Sequence, residues 1–359
     1  MSTESRLQAV MEGRGAYNKY AKLPAGGAAL ALPLWEDAIR RVEIEAGHQP
    51  VVLVDYGSSQ GKNSLVPMQI AVSCLRHRLE AGRPIWVFHV DQPSNDFNAL
   101  FDVLDADPER YTLGDASVFP AAVGRSFYEE VLPPGSVHLG WCSYAAVWLS
   151  RVPALIPGHF VSLRSTGEVR LEYERQAARD WEAFLALRAQ ELRSGGRLIV
   201  VLPGLADDGT SGFETIMDHA NDVVAQMVAE GSLSTEERGQ MALRTHPRKK
   251  SDLLAPFERD RSFCHLSVEA FETTELRDVA WTDYEMDRDT EALATKHALF
   301  FRSIFGPSLG SALERLRSGD AEALQIFGDR LEAGLRQRVA SQPTPMHSSV
   351  QIMVLAKRN

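Results

Sequence analysis

Val51-Val-Leu-Val-Asp-Tyr-Gly-Ser-Ser-Gln-Gly-Lys-Asn-Ser64 runs from four apolar residues of strand character to an acid, Asp55, and then into a turn of small residues. A run apolar on both faces predicts a strand buried within a sheet. Gly57 and Gly61 would let the backbone of the turn approach a ligand closely. A second strand is expected at Pro84-Ile-Trp-Val-Phe-His-Val90, delivering Asp91 at its carboxyl end. The two acids stand 91 − 55 = 36 residues apart, enough for a helix and a return strand. Neighbouring parallel strands that end in acids beside a glycine turn form a crevice suited to a nucleoside-bearing ligand.

The turn narrows the kind of nucleoside. Gly57-Ser-Ser-Gln-Gly61 has three residues between its glycines where a phosphate-wrapping loop needs four. Serine at position 59 also breaks the Gly-x-Gly-x-x-Gly pattern that packs a helix against a pyrophosphate. A ligand with a ribose and a methionine-like tail, an adenosyl cofactor without phosphates, needs neither device. Asp91 would then accept hydrogen bonds from ribose hydroxyls. A plain strand–turn–helix junction with an acid as cap would present the same pattern.

Composition bounds the function. The 359 residues are 44% hydrophobic and 24% charged, an ordinary globular balance with room for one large domain or two sharing a cleft. A formal charge of −10 argues against nucleic acid as the partner, because phosphate binding needs a basic surface. The cluster Arg248-Lys249-Lys250 reads as a solvated loop. Cys74, Cys142 and Cys264 share no metal-ligand spacing, and the ten histidines form no His-x-x-x-His pair, so no metal site is expected. The cysteine usage fits a reducing compartment. Met1-Ser-Thr-Glu-Ser-Arg6 lacks a secretion signal, and the stretch from Ala25 to Trp35 is too short and too broken to span a bilayer. A cytoplasmic protein without a membrane partner is expected.

Strands and helices alternate through the first 205 residues, which predicts an α/β fold with a Rossmann-like, doubly wound sheet. Helices are expected from Leu34 to Ala46, Ser64 to Ala81 and Asn95 to Leu104, with a helical turn starting at Tyr144 to Leu149. A long amphipathic helix is expected from Leu171 to Leu192. Strands are expected at Gly135 to Gly140, Arg197 to Leu202 and His265 to Phe271. Val350 to Leu355 is read as a strand returning to the sheet edge. Later helical patterns, Phe213 to Glu230 and Asp289 to Phe305, carry more aromatic and long apolar side chains. The expected division is a closing segment at 1–30, a sheet core at 31–205, 256–285 and 345–359, and a mainly helical cap at 206–255 and 286–344.

Six blocks in this order resemble the SABATH methyltransferases, the salicylic acid, benzoic acid and theobromine family. They are Gly13-Arg-Gly-Ala-Tyr-Asn-Lys-Tyr20, Asp55 through Ser64, Asp91-Gln-Pro-Ser-Asn-Asp-Phe-Asn98, Gly124-Arg-Ser-Phe-Tyr128, Trp148-Leu-Ser-Arg-Val-Pro153 and Arg188-Ala-Gln-Glu-Leu-Arg-Ser-Gly-Gly-Arg197. The resemblance implies a class I methyltransferase core, S-adenosylmethionine as cofactor, a small-molecule acceptor and pairing as a homodimer. It implies that Tyr20, Asp55, Gly57, Ser58 and Asn63 meet the methionine end of the cofactor and its turn. Asp91 and Gln92 would hold the ribose and flank the adenine, with Ser126 and Phe127 against the adenine. Tyr144 and Trp148 would face the acceptor as the catalytic pair. Ile216, Met217, Thr245, His246, Phe301 and Ile304 would line the acceptor pocket from the cap.

The implied reaction is O-methylation of an apolar or aromatic carboxylic acid to its methyl ester. Such an acid is ionised at neutral pH and needs no general base. An indole N–H at Trp148 can hold the carboxylate while its ring packs on the acceptor. Two departures stand out. Many relatives that methylate carboxylates carry a glutamine shortly after the Tyr-Ala step, whereas this chain reads Lys22-Leu-Pro-Ala-Gly-Gly-Ala28. Val147 stands where a histidine is common. Nitrogen- or hydroxyl-directed methylation therefore remains an alternative, as does a cofactor-binding protein without turnover.

Overall fold

The structure, a computed structural model, describes residues 11–13, 15–317 and 320–358. The first ten residues of the expected closing segment, and positions 14, 318, 319 and 359, lie outside the described residues. Among the described residues seven strands form one sheet in the order β3-β2-β1-β4-β5-β7-β6. They are β1 Val51–Tyr56, β2 Ile85–Asp91, β3 Val118–Gly124, β4 Val137–Ser143, β5 Leu192–Gly204, β6 Leu266–Leu276 and β7 Ser348–Lys357. The first five strands in that order run parallel, and β7 is antiparallel to both β5 and β6. The strand order reverses between β1 and β4, which places a ligand crevice at the carboxyl ends of those strands.

Alternation along each strand builds two cores. Val51 and Leu53 of β1, Ile199 and Val201 of β5, and Val350, Ile352 and Val354 of β7 face one side. There they meet α3 Leu32–Arg41, α4 Leu65–Arg76 and α5 Phe97–Ala106 through Trp35, Met68 and Leu100. Val54, Tyr56, Val200, Leu202 and Leu355 face the other side, against Trp181, Phe184 and Leu185 of α6 Gly167–Glu191. The same core continues into α7 Glu214–Ala229, α11 Thr290–Leu316 and α12 Ala321–Ser341. The shorter helices are α1 Ala16–Tyr20, α2 Lys22–Leu30, α8 Thr235–Gly239, α9 Lys250–Leu254 and α10 Val279–Asp287. Among the described residues no helix is long and apolar enough to cross a membrane.

The doubly wound α/β sheet is as expected, and four local expectations change. β7 does not sit at the edge; it lies between β5 and β6, and eight of its ten residues are buried. The stretch from Tyr144 to Leu149 is not helical. Tyr144 takes φ 57° and its N–H continues the ladder to the carbonyl of Val201 at 2.8 Å, so the chain leaves β4 in a sharp turn. Within the expected closing segment, residues 16–20 and 22–30 form α1 and α2. Arg248 is buried, donating to the carbonyls of Ala146 (2.7 Å) and Ala177 (2.8 Å), so it braces the fold from within.

Candidate active site

The crevice forms where the turn after β1 meets the end of β2. The amides of Gly57 and Ser58 donate to the Val90 carbonyl at 2.8 and 3.2 Å. Gly57 has φ 88°, and a Cβ there would lie 2.1 Å from the Cβ of Ala145. Glycine is therefore required where the turn closes on the chain leaving β4. Ser59 takes the left-handed conformation at φ 48°. Its N–H donates to Asp91 Oδ2, and the N–H of Gln92 donates to Oδ1, both at 2.7 Å. Burial pushes the Asp91 carboxyl up to about 6; the two backbone donors oppose that rise and nearby Asp55 adds to it. Each Asp91 oxygen has spent one lone pair and keeps another.

Two cavities meet at this point. The first, about 680 Å³ including its mouth, is lined by Gly57, Ser59, Asp91, Gln92, Phe127 and Tyr128 among others. The second, about 790 Å³ on the same measure, is walled by Val161, Leu163, Phe213, Met217, Phe300 and Ile304 among others, with no charged side chain among its described lining residues. Met11, Tyr17, Tyr144 and Trp148 line both. These sizes suit a cofactor and a small acceptor. Trp148 is fixed by a bridge to Thr245, and its carbonyl accepts the Tyr128 hydroxyl at 2.7 Å. Its indole N–H takes no hydrogen-bond partner among the described residues, while the ring stands 6.2 Å from that of Phe305.

The donor and acceptor set fits an adenosyl cofactor. The hydroxyls of Ser58 and Ser59 are buried without a partner in the turn itself, and buried polar atoms of that kind call for a polar ligand. The Gly57 cradle leaves backbone exposed to the first cavity.

Gly57, Asp91, Gln92 and Phe127 line the first cavity, Met217 and Ile304 the second, and Tyr144 and Trp148 both. Asp55, Ser58, Asn63 and Ser126 do not line either. Asp55 is buried behind the turn, accepting the Ser64 hydroxyl, with His89 Nδ1 3.7 Å away. Asn63 holds Tyr17 and the carbonyl of Ala21, and Ser126 Oγ accepts the Tyr128 amide at 3.2 Å. Tyr20 lines neither cavity and has Lys19 Nζ over its ring, whereas Tyr17, one turn earlier, lines both. Ile216 and Phe301 belong to the core, one position away from the lining residues Met217 and Phe300. His246 is also in the wall: its Nδ1 faces Ser162 Oγ at 3.0 Å and its ring stacks on Tyr173. Burial, with the cations of Arg170 and Arg248, pushes it down to about 3, so it is neutral. Tyr17, Ser59, Tyr128, Phe213 and Phe300 are lining residues that the sequence reading missed. Tyr17, Ser59 and Tyr128 stand inside the resembling blocks, which was their signal; Phe213 and Phe300 lie outside them.

Residues 7–357 match the family described as SAM dependent carboxyl methyltransferase, and the chain belongs to that family. It is the SABATH group that the motifs resemble, whose cofactor is S-adenosylmethionine. A probable S-adenosylmethionine-dependent methyltransferase of Arabidopsis thaliana is 33% identical over 243 residues, 62% of this chain and 65% of that one, so the match spans just under two thirds of that relative. The farnesoic acid carboxyl-O-methyltransferase of the same plant is 24% identical over 97% of both chains. A solved loganic acid methyltransferase with SAH superposes with a TM-score of 0.74 at 23% identity, covering 97% of this chain and 99% of that one, which establishes the shared fold.

Proposed function

We propose that this protein moves a methyl group from S-adenosylmethionine to the carboxylate of a small apolar acid and releases the methyl ester. The observation that carries this is the junction of a polar cleft at Asp91 with an uncharged aromatic cavity, across Tyr17, Tyr144 and Trp148. When bound, the cofactor supplies an electrophilic methyl carbon on a sulfonium, open to in-line displacement. In this reading the free lone pairs of Asp91 accept the ribose hydroxyls, with Gln92 and Phe127 flanking the base. Ser59 and Tyr17 meet the amino-acid end, and Asp55, Ser58 and Asn63 brace them from behind.

Trp148 donates its indole N–H to the acceptor carboxylate, and Tyr144 confines the acceptor at the junction. Phe213, Phe300, Phe305 and Met217 enclose its apolar body and exclude water. The acid arrives ionised, so the residues need only align and desolvate, and alignment of this kind supplies about 7–11 kcal/mol. The division into a closing segment, sheet core and helical cap is part of the same proposal. Pairing as a homodimer draws support from the family resemblance, and a cytoplasmic site from three free cysteines.

A second reading, methylation of nitrogen or hydroxyl, is favoured by one observation. Val147 and Pro24 both present apolar surface to the second cavity, where a second donor to a carboxylate would stand. A transfer screen with methyl-labelled cofactor against acids, phenols and amines separates the readings. Methyl esters of apolar acids are expected; labelled amines or phenol ethers alone would overturn the first.

A further inference from the structure

Residues 125–136 cross from β3 to β4, past β2 and β1, without forming a helix. A helical crossover satisfies its own backbone groups, whereas an irregular one laid against a core must find partners elsewhere. Here much of that partnership comes from one ion pair near the end of α6. Arg188 is 0% exposed and Glu191 1%. Nε and Nη2 of Arg188 donate to the two Glu191 oxygens at 2.9 and 2.8 Å. Arg188 also donates to the carbonyls of Phe127 (2.5 Å) and Glu129 (3.2 Å). Glu191 accepts the amides of Val131 (2.9 Å) and Leu132 (3.3 Å) and the hydroxyl of Tyr56 (2.7 Å). Tyr56 follows Asp55 at the tip of β1, and its ring lies 4.4 Å beneath the Arg188 guanidinium. Burial pushes the Tyr56 phenol well above its ordinary value, so it stays an O–H donor.

A buried ion pair is a poor source of stability, since apolar residues of the same volume often do as well. The other side of the loop offers a reason to keep it. Phe127 and Tyr128 line the cofactor cleft, and Tyr128 also holds the Trp148 carbonyl. We infer that Arg188 and Glu191 are positioning residues for the cofactor: they hold the backbone of 127–132 so that Phe127 and Tyr128 form one wall of its site. The inference rests on the cofactor reading above.

Calorimetric titration with S-adenosylhomocysteine tests it. Binding by the wild-type chain tests the cofactor reading; the variants test the positioning. Glu191→Gln and Arg188→Lys should raise the Kd at least about tenfold and raise KM for S-adenosylmethionine, with kcat at saturating cofactor and acceptor KM within about twofold. Variants that keep their near-ultraviolet dichroism but show a lower Tm and a Kd within about twofold of wild type would overturn the inference, leaving the pair structural only. Tyr56→Phe removes one donor to Glu191 without changing charge, and it decides the matter if the charged variants do not fold. Its Kd should rise about threefold, and a wild-type Kd would count against the positioning role.

Discussion

Asp91 carries the heaviest burden of any single residue. Its carboxylate is half-buried and braced by two backbone amides, and desolvation of the ionised form lifts its pKa to about 6. Against an ordinary value near 3.8, that rise corresponds to about 3 kcal/mol. The sign follows directly. With a raised folded value, this group's contribution to stability is fully present below about pH 4 and is lost as pH rises through 6. Cofactor hydroxyls prefer the ionised form, so S-adenosylhomocysteine should raise Tm more at pH 7.5 than at pH 5, and an equal shift would speak against this role. Two hydrogen bonds to a charged acceptor are worth about 1.5–3 kcal/mol each, so Asp91→Ala should weaken binding at least about 100-fold by calorimetry. Trp148→Phe keeps the ring and removes only the N–H. It should lower kcat/KM for the acid at least about tenfold while S-adenosylhomocysteine binds within about twofold of wild type. Full activity in that variant would remove the carboxylate donor from the mechanism.

At the scale of elements, most of the sheet is legible in the sequence, but the edge strand β3 and the closing helices are not. β1, β2 and the turn between Asp55 and Ser64 announce themselves locally, through apolar runs, acids at strand tips and glycines at positive φ. Tyr17 escaped because its place depends on where α1 begins, at Gly15 with φ 75°, a tertiary detail that no periodicity encodes. The cap shows the same limit. On α11, Phe300 and Ile304 face the cavity while Phe301 turns into the core, and a shift of one residue exchanges these roles. His246 sits in a polar-looking stretch, yet the bridge between Trp148 and Thr245 carries it into the wall. The α2 helix closes directly on the site: a Cβ on Gly27 would lie 2.1 Å from the Tyr144 hydroxyl. That hydroxyl faces Ser348 Oγ without closing a hydrogen bond, and neither has another partner among the described residues. Gly27→Ala should displace α2 or Tyr144 and lower kcat/KM for the acceptor at least about tenfold, with the Asp91 side of the site unaffected. Unchanged kinetics would show that α2 does not shape the acceptor cavity.

Across the whole molecule, the reversal of strand order between β1 and β4 sets the chemistry's location, and the second core supplies its dry half. Polar and apolar compartments are thereby held against each other by a sheet edge on one side and by α7 and α11 on the other. The claim on which all of this turns is that the crevice at Asp91 holds an adenosyl cofactor. Titrating S-adenosylhomocysteine into the wild-type chain and into Asp91→Ala tests it directly. The expected result is one saturable site per chain, weakened at least about 100-fold in the variant. No binding to the wild type, or equal binding to both, would contradict it.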